Sequence, residues 1–516
     1  MMNRTWRASG DGLWLALLCG LVGAGCSDAG QAPGAPPGVT PTAGSAGTGS
    51  PSGAGGVGGN PPVTAGSGGG LPAAGVAGMG LPGAGTASGG GSGGTAAQTS
   101  CTFTIPPATT SAKIATVGIV EFSTDLAGLS GAHIEFGLDT SYGMVAPVDL
   151  AAANHHTLLL GMKQRRAYHF RVVATGSAGE CRSEDQTIMT GSLPNGFPTI
   201  DVKTTDGAAA ALYGGFVLTG AYVQGGGGSG SPAYIVDKDG DVVWAFNVGS
   251  DVTGARMSID GKYMWINAAQ VPEGTTNVHR VSMDGMTDDN LSNDLKGLNH
   301  MLTVLPDESV AFFAYSNSGC DDVKIRHPNG MVETIYNSGT ATGQSTNCHC
   351  NAIDYSDTDD SLVVSELNSN KYFKLKIADK SLVWVLGGTQ PNNFTGDGST
   401  WNRQHGVHVL AADRLLFFNN GSLGSGGSVA VELKLDLAAK TATKVWSYTA
   451  KPAISNDIMG DVQRLANGNT IVAYSTKGVL EEVNASGELL QQWSWPIGGA
   501  FGYIEKRKSL YGPPER

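Results

Sequence analysis

Residues 299–316 read NHMLTVLPDESVAFFAYS, and the phrase returns along the chain. CHCNAIDYSDTDDSLVVSEL stands at 348–367, QHGVHVLAADRLLFFNNGS at 404–422 and MGDVQRLANGNTIVAYS at 459–475. GARMSIDGKYMWINA (254–268) is a looser copy. Each copy has a polar start, an apolar run, an Asp, Asn or Gly turn and a second apolar run. A strand pair follows and ends on Trp, as in VVW (242–244), LVW (382–384), KVW (444–446) and QQW (491–493). A unit of about 50 residues holding several short strands is the sequence mark of a β-propeller blade. Residues 193–516 hold about six such units. The expected fold is all-β, a six-bladed propeller over 193–516.

The chain before the repeats has a different composition. MMNRTWRASGDG carries Arg4 and Arg7 and is followed by the short apolar run LWLALLCGLVGAG. A basic start, a short apolar core and small residues before a cleavage point predict a signal peptide over 1–25. GAGC (23–26) resembles a bacterial lipobox, which makes Cys26 a lipidation candidate. Between Asp28 and Lys113 no residue is charged, and Gly, Ala, Pro, Ser and Thr dominate. Such a stretch cannot bury enough apolar surface to offset chain entropy, so 26–100 reads as a disordered linker. As a Gly-rich coil it would reach roughly 45 Å. The implied location is outside the cytoplasm, tethered to a membrane at the outer membrane, in the periplasm or at the cell surface.

Residues 101–192 alternate in short runs between turn signals: KIATVGIVEFS, AHIEFGL, HTLLLGM, AYHFRVVATG and SEDQTIMTG. They predict a β-sandwich. LLLGMKQRRAYHFRVVATG resembles the late strands of a fibronectin type III domain, with Tyr168 in the place of the corner tyrosine. That resemblance implies a spacer or docking module. Cys101 and Cys181 bracket the module, and an oxidising compartment predicts that they pair.

Successive propeller blades bring equivalent positions to one axis. His300, His349 and His405 stand at one place in the repeat, just before the innermost strand of each blade. Three histidines distant in sequence are therefore expected to meet in one funnel. Alternation along a strand puts His349 and Asn351 on one face and Cys348 and Cys350 on the other. This argues against a Cys-His-Cys zinc site, and Cys320 has Cys348 or Cys350 as a disulfide partner. A net charge of −12, with acidic residues scattered, argues against a nucleic-acid surface.

NHM (299–301), CHCNAID, SLVVSELNSNKYFKLKIADKSLVWVLGG, RQHGVHVL, FFNNGS, VELKLDLAAKTATKVWSY and GDVQRLANGNTIV follow one another in an order that resembles the bacterial arylsulfotransferase family. These propeller enzymes do not use a nucleotide sulfate donor. The resemblance implies that an aryl sulfate passes its sulfuryl group to a histidine and that a phenol then takes it. By its match to the QH motif His405 would be the nucleophile. His300 and His349 would bind sulfuryl oxygens or protonate the leaving phenolate, and Asn351 would orient the group. No metal or other cofactor is implied.

One departure stands out. The family usually has Arg in the strand after His-x-Asn, and here SEL puts Leu367 in that place, beside Glu366. Lys371 and Arg403 are the nearby cations able to take over substrate binding. A non-catalytic surface propeller that binds a ligand or glycan is the alternative from another class, and a metal-dependent hydrolase built on the three histidines is a third.

Overall fold

The computed structural model describes residues 100–194, 197, 199–222, 230–270, 275–316, 319–388, 393–421, 426–496 and 500–515. The leader expected at 1–25, Cys26 and all of the linker except Ser100 lie outside these residues.

From Asp201 onward the described chain folds into successive antiparallel sheets. The second holds Val252–Met257, Tyr263–Gln270, Thr275–Ser282 and Asp288–Asn290. The third holds Leu298–Val304, Val310–Tyr315, Asp321–Arg326 and Val332–Asn337. The fourth and fifth begin at Cys350–Ser356 and Gln404–Ala411, and the sixth at Asp461–Arg464. The middle strands are buried on both faces: every residue of Ser361–Glu366 is buried, the polar Ser361, Ser365 and Glu366 included. Repeated turn residues separate them. Gly468 has φ 87°, where a side chain would be strained, and Asn467 Oδ1 accepts the Asn469 N–H at 3.1 Å.

Neighbouring sheets are joined one to the next in a closed ring. Asn267 Nδ2 donates to the His300 carbonyl between the second and third sheets, at 2.8 Å. The Cys350 N–H donates to Asp321 between the third and fourth, and the Val409 N–H to Asp354 between the fourth and fifth. The Arg464 N–H donates to His408 Nδ1, and the Ile504 N–H to Asp461. The Tyr503 N–H, donating to Thr253, closes the circle, and its hydroxyl reaches the Asn351 carbonyl across the axis.

The first sheet is assembled from both ends of the domain. Phe216–Tyr222, Ala233–Asp237 and Val242–Phe246 come from its start, and Glu505–Arg507 from its end pairs with Phe216–Leu218 as the innermost strand. Reciprocally, Asp201–Thr204 pairs outside Leu489–Ser494 of the sixth sheet. The Trp of the repeat has a packing role. Trp244, on an outermost strand, donates Nε1–H to the Met283 carbonyl of the next sheet, and Trp446 does the same to Ala485. Each is a wedge that closes one sheet on its neighbour.

Residues 103–189 form three smaller sheets around Val120, Ile134, Phe136, Tyr168, Phe170 and Val172. The buried Tyr168 hydroxyl accepts the Lys163 N–H at 2.8 Å, and Cys101 is bonded to Cys181. This module is fixed to the first propeller sheet. Ile114, Val117 and Leu160 share a core with Val243 and Trp244. Lys163 Nζ meets Asp237, Asp239 and Asp241 at 3.3, 2.8 and 2.7 Å.

Candidate functional site

His300 and His405 stand where pairing between the first two strands of a sheet slips, and His349 stands one residue before such a slip. The register shifts between Leu298 and Leu302, between Cys350 and Ala352, and between His405 and Val407. Such bulges re-aim side chains. His300 itself has φ 51°, and Gly406, next to His405, has φ 52°. A Cβ on Gly406 would meet Asp461 Oδ1 at 2.6 Å, so only glycine fits behind His405.

His300 and His349 touch edge to face, with ring centroids 4.7 Å apart and their Nε2 atoms at 3.1 Å. His405 is only 3 % exposed and lies within electrostatic reach of both. The structure therefore brings His300, His349 and His405 together.

The hydrogen bonds set the proton on each ring. Asn420 Nδ2 donates to the Asn456 and Met459 carbonyls, so its Oδ1 faces His405 Nδ1, at 2.7 Å. His405 carries its proton on Nδ1 and leaves a lone pair on Nε2. Asn299 Nδ2 donates to Asp321, so its Oδ1 accepts from His300 Nδ1, at 2.8 Å. The lone pair of His300 Nε2 then receives the Nε2–H of His349. Asn299 and Asn420 stand inside the quoted pieces NHM and FFNNGS. Nothing in a linear pattern says that they face a ring nitrogen.

All three imidazoles are held neutral. Burial pushes His405 down to about 3, with the His349 and Arg403 charges adding to it and the Asn420 hydrogen bond opposing. His349 falls to about 4 by burial and then by Arg403, and His300 falls by burial and by its two histidine neighbours. Asp321, behind Asn299, is raised by burial to about 6.

The other candidates separate. Asn351 is fully buried, donates Nδ2–H to the Gln404 carbonyl at 2.7 Å beside His405, and leaves Oδ1 without a partner. Arg403 lies near enough to His349 and His405 to depress both. Lys371 turns away and gives Nζ–H to the Thr342 carbonyl of the short helix Ser338–Thr342, at 2.6 Å. Leu367 is buried. Glu366 accepts the N–H groups of His349, Asn368 and Ser369, so its charge braces the backbone. Cys348 is bonded to Cys320, which removes it as a thiolate ligand, and Cys350 is a buried free thiol. Among the described residues no group of three or more His, Cys, Asp or Glu side chains is arranged to hold a metal ion.

The family model described as Arylsulfotransferase (ASST) matches residues 209–494, more than half of the chain. This protein belongs to the arylsulfotransferase family. Sulfotransferase activity in general follows from that membership, and the ring of sheets is the family's β-propeller. No curated protein matches the sequence significantly. Among solved structures, TolB from Acinetobacter baumannii is 11 % identical, with 67 % of this chain and 80 % of that one covered at a TM-score of 0.41. The Cps50 (Swd1) β-propeller domain of Myceliophteria thermophila is 10 % identical, with 60 % and 90 % covered at 0.38.

Proposed function

We propose that this arylsulfotransferase is a six-bladed propeller that moves a sulfuryl group from an aryl sulfate ester to a phenol in two steps through a sulfated His405. In the first step the Nε2 lone pair attacks sulfur. The N–S bond forms as the S–O(aryl) bond breaks, and the electron pair leaves with the aryl oxygen as phenolate. In the second, a phenol oxygen attacks sulfur, the N–S pair returns to Nε2, and the phenol proton passes to the His300–His349 pair. That pair hands it on to solvent, where the phenolate released in the first step takes one up, so protons balance over the cycle. Splitting one hard displacement into two is the gain from a covalent intermediate. Asn351 braces the strand that carries the nucleophile. The observation that supports this reading is the Asn420 bond that frees Nε2 of a neutral His405.

The reading extends to the chain ends. The protein is exported by the leader at 1–25 and held to a membrane by a lipid on Cys26, with the linker to 100 as tether. Residues 101–192 form a fibronectin type III-like module before the propeller. Two disulfides support an oxidising compartment. No helix among the described residues is long and apolar enough to cross a membrane.

The test is turnover of a nitrophenyl sulfate with and without a phenol acceptor, after exhaustive chelation. Phenol-stimulated release that survives chelation is the expected result. Stoichiometric zinc, with activity lost on its removal, would instead favour a metal-dependent hydrolase. The Cys320–Cys348 bond gives a second expectation, because it pins the residue before His349. Breaking it with Cys320→Ser plus Cys348→Ser should slow donor cleavage by roughly 10- to 100-fold through misplacement of the ring. An unchanged rate would mean that Glu366 and Asp321 alone hold that segment.

A further inference from the structure

Two of the groups flanking the histidines are already committed. Lys371 is bonded to the Thr342 carbonyl, and Glu366 is spent on backbone N–H groups. Leu367 contributes no charge and gives its backbone N–H to the His349 carbonyl. Arg403 differs from all three. It sits two residues before His405 with φ 58°, a conformation that side chains rarely adopt. Two contacts hold it there. Its N–H donates to Asn370 Oδ1 at 2.6 Å, and its carbonyl accepts the Asn420 N–H at 2.9 Å. Asn420 is also the residue that orients His405, so the cation and the nucleophile share one support. The Nε–H of Arg403 is buried and has no partner. No carboxylate pairs with Arg403 among the described residues. Arg403 as a whole is half-buried, and one N–H withdrawn from water without a partner is costly, a cost that an anion's oxygen removes.

We propose that Arg403 is the anion anchor of this site, donating its N–H groups to sulfuryl oxygens in place of the cation that the family pattern carries on the strand after His-x-Asn. This rests on the sulfotransferase reading above. A planar guanidinium suits the task because its fork spans two oxygens of one group. Standing on the nucleophile's own strand, it keeps the same oxygens in the donor ester and in the sulfated histidine. It neither gives up nor gains a proton while the sulfuryl group moves from aryl oxygen to His405 Nε2.

Inorganic sulfate is the probe, read by thermal shift and as a competitive inhibitor of nitrophenyl sulfate turnover. Sulfate is expected to raise the melting temperature of the wild-type protein and of His405→Ala, because the anchor remains in both. Arg403→Gln should lose the shift and should lower kcat/KM by about a hundredfold or more, with KM raised as well as kcat lowered. Arg403→Lys keeps the charge without the fork, and its sulfate protection should weaken about tenfold. It serves as the measurement if the Gln variant does not fold. Wild-type protein without a sulfate shift, or an Arg403 variant with wild-type protection and turnover, overturns the proposal. An Arg403-dependent sulfate shift in a protein that turns over no aryl sulfate leaves the anchor standing and removes the sulfotransferase reading instead.

Discussion

His405→Ala is expected to end both phenol release from an aryl sulfate and transfer to an acceptor, with a loss of at least ~10⁴-fold in each. Few groups at the site can hold a sulfuryl group. The lone pair of His300 Nε2 is occupied by the proton of His349. Arg403 offers N–H donors and no lone pair for sulfur. Asn299 and Asn420 have no nucleophilic nitrogen. Among the described residues, only His405 combines a free Nε2 with a proton fixed on the far side of the ring. The measurement is intact-protein mass after donor alone, then peptide mapping. Wild-type protein should gain one sulfuryl group on the peptide that carries His405, and His405→Ala should gain none. A wild-type enzyme that turns over donor without ever carrying the added mass would point to direct transfer between donor and acceptor. Unchanged turnover in His405→Ala would remove the nucleophile assignment itself.

The sheet order was legible because a ring of similar units repeats its turn chemistry. Trp244, Trp384 and Trp446 mark outermost strands, and Trp493 stands one strand further in because Asp201–Thr204 pairs outside it. The shared position of His300, His349 and His405 was legible for the same reason. The innermost strand of the first sheet was not. It is EKR at 505–507, far from the sheet it completes, and a strand that pairs by ring closure need not carry the repeat phrase. The cation was half legible. Lys371 and Arg403 are equivalent as charges in the sequence, and only hydrogen bonds distinguish them. Alternation alone also falls short at the histidines, because the bulges break the period of two where the site begins. The pairing of Cys320 with Cys348 and not with Cys350 belongs to that same irregular stretch. Asn299 and Asn420 act through ring nitrogens whose orientation is fixed by carbonyl and carboxylate groups some 20–40 residues away in sequence.

Asn420→Ala should cost about 10³-fold in the donor half-reaction, although residue 420 forms no bond to sulfur. Without Oδ1 the His405 ring is free to carry its proton on Nε2, and that tautomer has no lone pair to offer. A wrongly fixed tautomer in an otherwise intact nucleophile–base pair is worth losses of up to ~10⁴-fold. The pH profile separates this from a change in protonation. The nucleophile works as the neutral ring, and burial holds His405 near 3 and His349 near 4. Wild-type activity should therefore stay level as pH falls from neutrality, and drop only near pH 4 and below, where the rings take up protons. The Asn420 hydrogen bond raises the His405 pKa, so removing it moves the acid limb no higher. The defect in Asn420→Ala should then be the same at every pH on the plateau, because raising the pH removes excess protons but does not choose between two neutral tautomers. It should appear in kcat with KM nearly unchanged, since Arg403 is still present to hold the anion. Recovery of the variant at high pH would mean that Asn420 controls charge and not tautomer. A rate within a few-fold of wild type would mean that His405 Nε2 is freed by some other contact.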